Sequence, residues 1–280
     1  MDKKAVLFIL LGQSNAVGHG IPMKDEDKIT IPMKNVFGLS RKKNQSFDNT
    51  ELFWDGYESA GMNLAEEQDH TYSVANQLAR VWEDDLPDLY IVQIAIGAEG
   101  ITDGYMWNPG YEKKLIPGKL GEVKISLYSY TCHILSLIKD SLKKSGKEDI
   151  KTVIHWRGGE NDTTVKKEEL EGCLKGIYEE IFNGFYDALG EKTEIFLHKI
   201  LCANCFDEVD PSGEQTRSMH FINSVFEELE KENDNISIFD ASKAPMYDDS
   251  RCNGIFELDA VHYTPEANLW VAKEIMEDLR

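Results

Sequence analysis

Residues 5–11 read Ala-Val-Leu-Phe-Ile-Leu-Leu, an unbroken apolar run entered from Lys3 and Lys4 and closed by Gly12. A strand with one wet face would alternate. A short run that is apolar at every position and ends at a glycine reads as a strand buried on both faces. Such a strand needs a layer of structure above it and another below. The chain turns on Gly12, so Ser14 falls just past the strand's carboxyl end, the edge at which open parallel sheets bind ligands. Two readings stay open at this point. Ser14 is held by a rigid strand with its hydroxyl facing a crevice, or Ser14 or Asn15 only caps a helix or closes a turn.

The same alternation of elements runs along the chain. Further apolar runs at 89–96, 152–156, 194–201 and 236–239 read as strands, with helical spacing of apolar residues at 71–83, 121–144, 166–189, 213–231 and from Pro265 onward. Leu86-Pro87, Gly146 and the Thr264-Pro265 pair supply stops and starts. Strands alternating with helices imply a parallel sheet, here of five strands, with helices on both faces. No repeat, low-complexity tract or linker divides the 280 residues, so a single α/β domain is expected, with a long loop insertion at about 21–69. Trp54, Asp55, Gly56 and Tyr57 in that insertion fit either an aromatic wall for a sugar or anchors packed on the domain.

Charge and cysteines exclude several classes. With 50 acidic against 30 basic residues the formal net charge is −20, which repels phosphate backbones and anionic lipid. Neither nucleic acid nor a membrane is an expected partner. A small-molecule or oligosaccharide substrate is, and a homo-oligomer is compatible with the sequence. Five cysteines without regular spacing do not make a disulfide framework. Cys202-Ala203-Asn204-Cys205 has no second pair or histidine cluster beside it, so no metal and no cofactor are expected. The start of the chain has the charge and apolar run of a short signal peptide but lacks a small-x-small cleavage site, and cleavage would remove the first strand. The expected location is the cytoplasm.

Three polar clusters stand at strand ends or before the last helix: Ser14, the stretch Gly159-Glu160-Asn161-Asp162, and Asp259-x-x-His262. A serine hydroxyl needs a base to take its proton, and histidine titrates in the right range. The base needs an acceptor that fixes its tautomer, and Asp259 lies three residues before His262. A developing oxyanion needs preorganised donors, for which the Ser14 amide, the Gly97 amide and the Asn161 side chain are available. Each piece has a plain alternative: a helix-start histidine, a tight turn at Gly158-Gly159, a cap at Asn161 or Asp162.

Gly12-Gln13-Ser14-Asn15-Ala16-x-Gly18 resembles the first block of the SGNH hydrolases, and within them the sialate O-acetylesterase and acetylxylan esterase branch, carbohydrate esterase family 6. Ile96-Gly97-Ala98-Glu99-Gly100-Ile101 is similar to that branch's second block, without its second consecutive glycine and its threonine. Trp156-Arg157-Gly158-Gly159-Glu160-Asn161-Asp162 resembles the third block, with Arg157 in place of histidine and Gly158 in place of glutamine. Asp259-x-x-His262 matches the last. The resemblance implies a three-layer α/β/α, flavodoxin-like fold and a serine esterase that removes O-acetyl groups from sugars such as acetylated xylan or sialic acid through an acyl-enzyme. By position Ser14 is nucleophile, His262 base and Asp259 its orienter, with Ser14, Gly97 (or Gly100) and Asn161 at the oxyanion. Gln13, Arg157 and Glu160 become substrate-binding candidates, Arg157 toward an acidic sugar's carboxylate or else paired with surface acids. The alternatives are a non-catalytic carbohydrate-binding protein on this fold and a short-chain lipase or thioesterase.

Overall fold

A computed structural model describes residues 4–19, 22–41, 43–44, 51–65, 70–111, 113–114, 124–201, 210, 212–247 and 261–280. Asp259, Cys202 and Cys205 lie outside the described residues, as does Val123 at the start of one expected helix.

The opening run forms β1 (Ala5–Gly12), buried along its whole length. Its side chains alternate between two cores: Leu7, Ile9 and Leu11 join one, Val6, Phe8 and Leu10 the other. The remaining strands are β2 (Val36–Leu39), β3 (Trp54–Gly56), β4 (Leu89–Ala95), β5 (Lys113–Lys114), β6 (Lys124–Ile125), β7 (Ile150–Arg157), β8 (Glu194–His198) and β9 (Ile236–Phe239). The helices are α1 (Ser14–Val17), α2 (Val74–Val81), α3 (Leu127–Lys144), α4 (Lys167–Leu170), α5 (Leu174–Leu189), α6 (Glu214–Glu232) and α7 (Pro265–Leu279). The first core holds α3, α5 and α6 against the sheet, and the second holds α2 and α7.

The main sheet has seven strands in the order β3-β2-β4-β1-β7-β8-β9, so the expected sheet of five parallel strands is corrected to a mixed sheet of seven. The five expected strands are present and adjacent, all parallel. The 21–69 insertion adds the other two: β2 parallel to β4, and β3 antiparallel to β2 at the edge. These strands are short and each carries a glycine, so they give no periodic signal of their own. Two aromatics of the insertion are anchors: Tyr57 is fully buried and bonds Asn76, while Trp54 bonds Ser141 and meets Tyr90 edge-on. The expected helix at 166–189 is broken into α4 and α5 around Gly172. Thr264 caps α7 by accepting from the Ala267 amide at 3.2 Å, with Pro265 in the first turn, as the sequence suggests. No helix among the described residues is long and apolar enough to cross a membrane.

Register places the site. Gly12 pairs with Ala95 on one side and Arg157 on the other, so β1, β4 and β7 end level. The segments leaving these three strands therefore emerge on one edge, at the point where β1 hands over to neighbours on both sides.

Candidate active site

Gly12 makes the turn out of β1 at φ +138, and a Cβ there would collide with the Arg157 carbonyl oxygen, so only glycine fits. The Gln13 amide then donates to that oxygen at 3.0 Å. Ser14 opens α1 directly, 7% exposed, with the cap position taken by Gln13 and no side-chain cap bond. Ser14 is thus the first residue of the helix, and the capping reading of Ser14 and Asn15 falls away.

Ser14 lines a cavity of about 540 Å³ together with Gln13, His19, Gly97, Ala98, Glu160, Asn161 and His262. Ile200, Leu201, Met219, Val261 and the threonines 163 and 164 form the rest of its wall with Gln215. The serine from the beginning of the chain and the histidine before the last helix therefore meet in one cavity. The rings of His262 and His19 lie 5.6 Å apart, centroid to centroid. His19 carries no motif signal and is a residue that sequence reasoning misses. Its Nε2 occupies the space that a Cβ on Gly97 would need, so glycine at 97 makes room for the imidazole.

Asn15, read from the sequence only as a candidate cap or turn residue, has a different role. Its Nδ2 donates to Glu160 Oε1 at 2.7 Å and to the Val261 carbonyl at 3.1 Å. Its Oδ1 accepts from the Tyr263 amide at 3.2 Å. One carboxamide thus grips both neighbours of His262 and ties them to the block after β7. Glu160 lines the cavity, and its second oxygen is buried with no hydrogen-bond partner among the described residues.

The remaining expected residues divide. Asn161 lines the cavity; its Nδ2 donates to the Ala98 carbonyl at 2.9 Å, which leaves the second N–H of that amide to serve another acceptor. Gln13 lines the cavity and its Oε1 accepts from the Asn161 amide at 3.4 Å. Gly97 lines it too, whereas Gly100 abuts the Asp162 carboxylate and does not. Arg157 corrects an expectation. It is 2% exposed and is not among the residues that line the cavity. Its guanidinium donates to the Asn15 carbonyl at 3.1 Å and Asn268 Oδ1 at 2.8 Å, and lies 4.6 Å from the Tyr263 ring centroid. Arg157 fastens α1 to α7 from below.

Asp162 is fully buried and neither caps a helix nor reaches the cavity. Its carboxylate accepts from the Ile101 and Thr102 amides and the Thr102 hydroxyl, fixing the loop after β4. Burial raises its pKa, and those donors oppose the rise. Ala98 in that loop takes φ +59, where the resembled branch has glycine; the left-handed backbone is kept at a cost of about 1–2 kcal/mol. Beneath the site His155 Nδ1 and His198 Nε2 share a hydrogen bond of 2.9 Å. Burial pushes the His155 pKa down to about 3, with the Arg157 charge adding to the effect. Among the described residues no group of three or more His, Cys, Asp or Glu is placed to hold a metal ion.

No family model and no curated protein matches this sequence. Solved structures do. A protein from Arabidopsis thaliana superposes with a TM-score of 0.63 at 17% identity, over 99% of this chain and 98% of its own. NanS gives 0.64 at 14% identity, over 99% and 97%. A carbohydrate acetylesterase family member from Sinorhizobium meliloti superposes less closely, at 0.49 and 11% identity over 98% and 97%. What the first two share with this chain is the fold.

Proposed function

We propose that this protein is a serine ester hydrolase that works through an acyl-enzyme. The observation that carries the reading is the meeting of Ser14 and His262 in one cavity at the carboxyl edge of the sheet. Ser14 Oγ attacks the ester carbonyl carbon as His262 takes its proton. The carbonyl oxygen becomes an oxyanion, for which the Ser14 and Gly97 amides and the second N–H of Asn161 are the donors. The C–O bond to the alcohol breaks, and His262 returns the proton to the leaving oxygen. Water, deprotonated by His262, then attacks the acyl carbon and releases Ser14 and the acid. Asp259 is the proposed orienter of His262, on its spacing and on the resemblance of the last block. The first-block resemblance supports an O-acylated carbohydrate as substrate, with acetylated xylo-oligosaccharides and O-acetyl sialic acids as the first to try.

The test is hydrolysis of p-nitrophenyl acetate by wild type and Ser14→Ala. Loss of the nucleophile should lower kcat by several orders of magnitude, and a serine-directed phosphonate should label Ser14 one to one. Equal rates in both proteins, with no labelling, would leave a binding protein on this fold. Release of acid from the two sugar classes then reads the alcohol.

A further inference from the structure

We propose that His19 selects the alcohol half of the ester: its imidazole hydrogen-bonds a hydroxyl on the carbon next to the esterified one, so that the site favours acyl esters of vicinal diols, sugars among them. The inference rests on the reading of Ser14 as nucleophile and His262 as base, and adds to it the residue that reads the leaving group.

The backbone fixes where His19 stands. The one-turn helix α1 begins at Ser14 and is closed by Gly18, which takes φ +81. A Cβ at Gly18 would run into the backbone of Tyr72 and Ser73, just ahead of α2, so the turn is wedged against a second element. The amides of Gly18 and His19 both donate to the Ser14 carbonyl, at 2.9 and 3.0 Å. His19 is thereby tied to the nucleophile's own residue, and its half-buried ring lines the same cavity.

Two neighbours place the ring. Its centroid lies 5.6 Å from that of His262, with the planes inclined by 43°. Its Nε2 fills the space of the Cβ that Gly97 lacks. The imidazole therefore adjoins both the proposed base and a proposed oxyanion donor. In the reaction His262 stands at the leaving oxygen and the Gly97 amide at the carbonyl oxygen. An ester, like a trans peptide, holds its alcohol carbon on the same side as the carbonyl oxygen. That carbon emerges between the two positions that His19 adjoins. The acyl chain leaves on the opposite side of the C–O bond.

The spacing suits a pair of neighbouring oxygens. A hydrogen bond spans about 3 Å, and the oxygens of a gauche vicinal diol stand about as far apart. Rings with centroids 5.6 Å apart can thus each hold one oxygen of the diol, the leaving oxygen on His262 and the hydroxyl on His19. In either tautomer an imidazole nitrogen offers an N–H or a lone pair, and a hydroxyl answers both. A methyl group in that place answers neither, and discrimination follows from the difference.

The experiment measures kcat/KM for acetate release from matched esters on wild type, His19→Phe and His19→Gln, with Ser14→Ala as blank. One pair is ethylene glycol monoacetate and propyl acetate, equal in size and differing by hydroxyl against methyl. The other is the monoacetate of vicinal trans-cyclohexanediol and its methyl isostere. In wild type the hydroxylated ester of each pair should be faster by about five- to tenfold, the worth of one neutral hydrogen bond. His19→Phe keeps a ring of similar bulk and should bring the ratio near one. His19→Gln keeps a donor and an acceptor, and its ratio should stay above that of His19→Phe. Each ratio is taken within one protein, so partial unfolding of a variant cancels. A wild-type ratio near one, or a high ratio that His19→Phe leaves in place, overturns the inference and leaves the esterase reading standing. Absence of Ser14-dependent hydrolysis with every ester, p-nitrophenyl acetate included, overturns both.

Discussion

Replacing Asn15 by alanine removes three hydrogen bonds at once: to Glu160 at 2.7 Å, to the Val261 carbonyl at 3.1 Å and from the Tyr263 amide at 3.2 Å. A neutral bond is worth about 1 kcal/mol net and one to a carboxylate about 1.5–3. The loss is thus about 4 kcal/mol if nothing relaxes. A share of it will register as lower stability, since the bond from the Tyr263 amide is buried and the one to Glu160 is partly so. The rest will register as freedom of the segment that carries His262. A displacement of about 1 Å at a reacting group costs around a hundredfold in rate. We therefore expect Asn15→Ala to lower kcat on p-nitrophenyl esters about 10²-fold with KM changed little, because the carboxamide bonds the backbone on either side of His262 rather than substrate. Asn15→Asp sharpens the test. It has the same shape and keeps the acceptor for the Tyr263 amide. It turns the Nδ2 donor into an oxygen facing Glu160 and the Val261 carbonyl, so it should be worse than alanine. Circular dichroism at the assay temperature separates unfolding from mispositioning. Wild-type kcat in folded Asn15→Ala, or an aspartate as good as asparagine, would refute the clamp.

Contacts in and under the site set two more outcomes. Gly97→Ala should lose most esterase activity, because its Cβ runs into His19 Nε2, and Gly97→Ala/His19→Ala should recover a fraction of it; a double variant no better than the single one would mean that the loss has another origin. His155 is held neutral down to about pH 3, against about 6.5 in the unfolded chain, so between those values the unfolded state binds the extra proton. Its contribution is full above pH 6.5 and declines as pH falls, by about 1.4 kcal/mol per pH unit per proton. Urea midpoints from pH 7 to 4.5 should drop more steeply in wild type than in His155→Phe, and parallel slopes would show that other groups carry the acid sensitivity.

The sequence discloses whatever repeats locally. An all-apolar run must be buried on both faces, and β1 feeds its odd residues to one core and its even residues to the other. The Thr264-Pro265 start of α7 is a matter of adjacent residues, and it is found where expected. The two extra strands are not legible. β2 and β3 have four and three residues and owe their existence to partners already in place, β2 adding beside β4 and β3 beside β2. Nor is the interruption between α4 and α5, since Leu170 and Leu174 keep helical spacing across it.

The site divides along the same line. Gly12, Ser14 and His262 announce themselves by residue type at a strand end or helix start. Their supports do not, because an asparagine bridging positions 246 and 248 residues away has no local pattern. Arg157 shows the cost of reading such a residue by type. An arginine beside a proposed site suggests an acidic ligand, and the same arginine enclosed by Asn15, Asn268 and Tyr263 is a fastening. Asp162 repeats the lesson from the other side, as an acid in a catalytic-looking block spends its lone pairs on the loop after β4. Each of the three polar blocks therefore contains a residue that faces the cavity and contains or adjoins another that is bonded to a distant segment. Ser14 is paired with Asn15, Asn161 with Asp162, and His262 with Tyr263. In each pair the neighbour bonds to a segment far away in sequence: Asn15 and Tyr263 to each other, and Asp162 to the loop after β4. A substitution in a neighbour should register at the facing residue of another block, as Asn15→Ala should at His262.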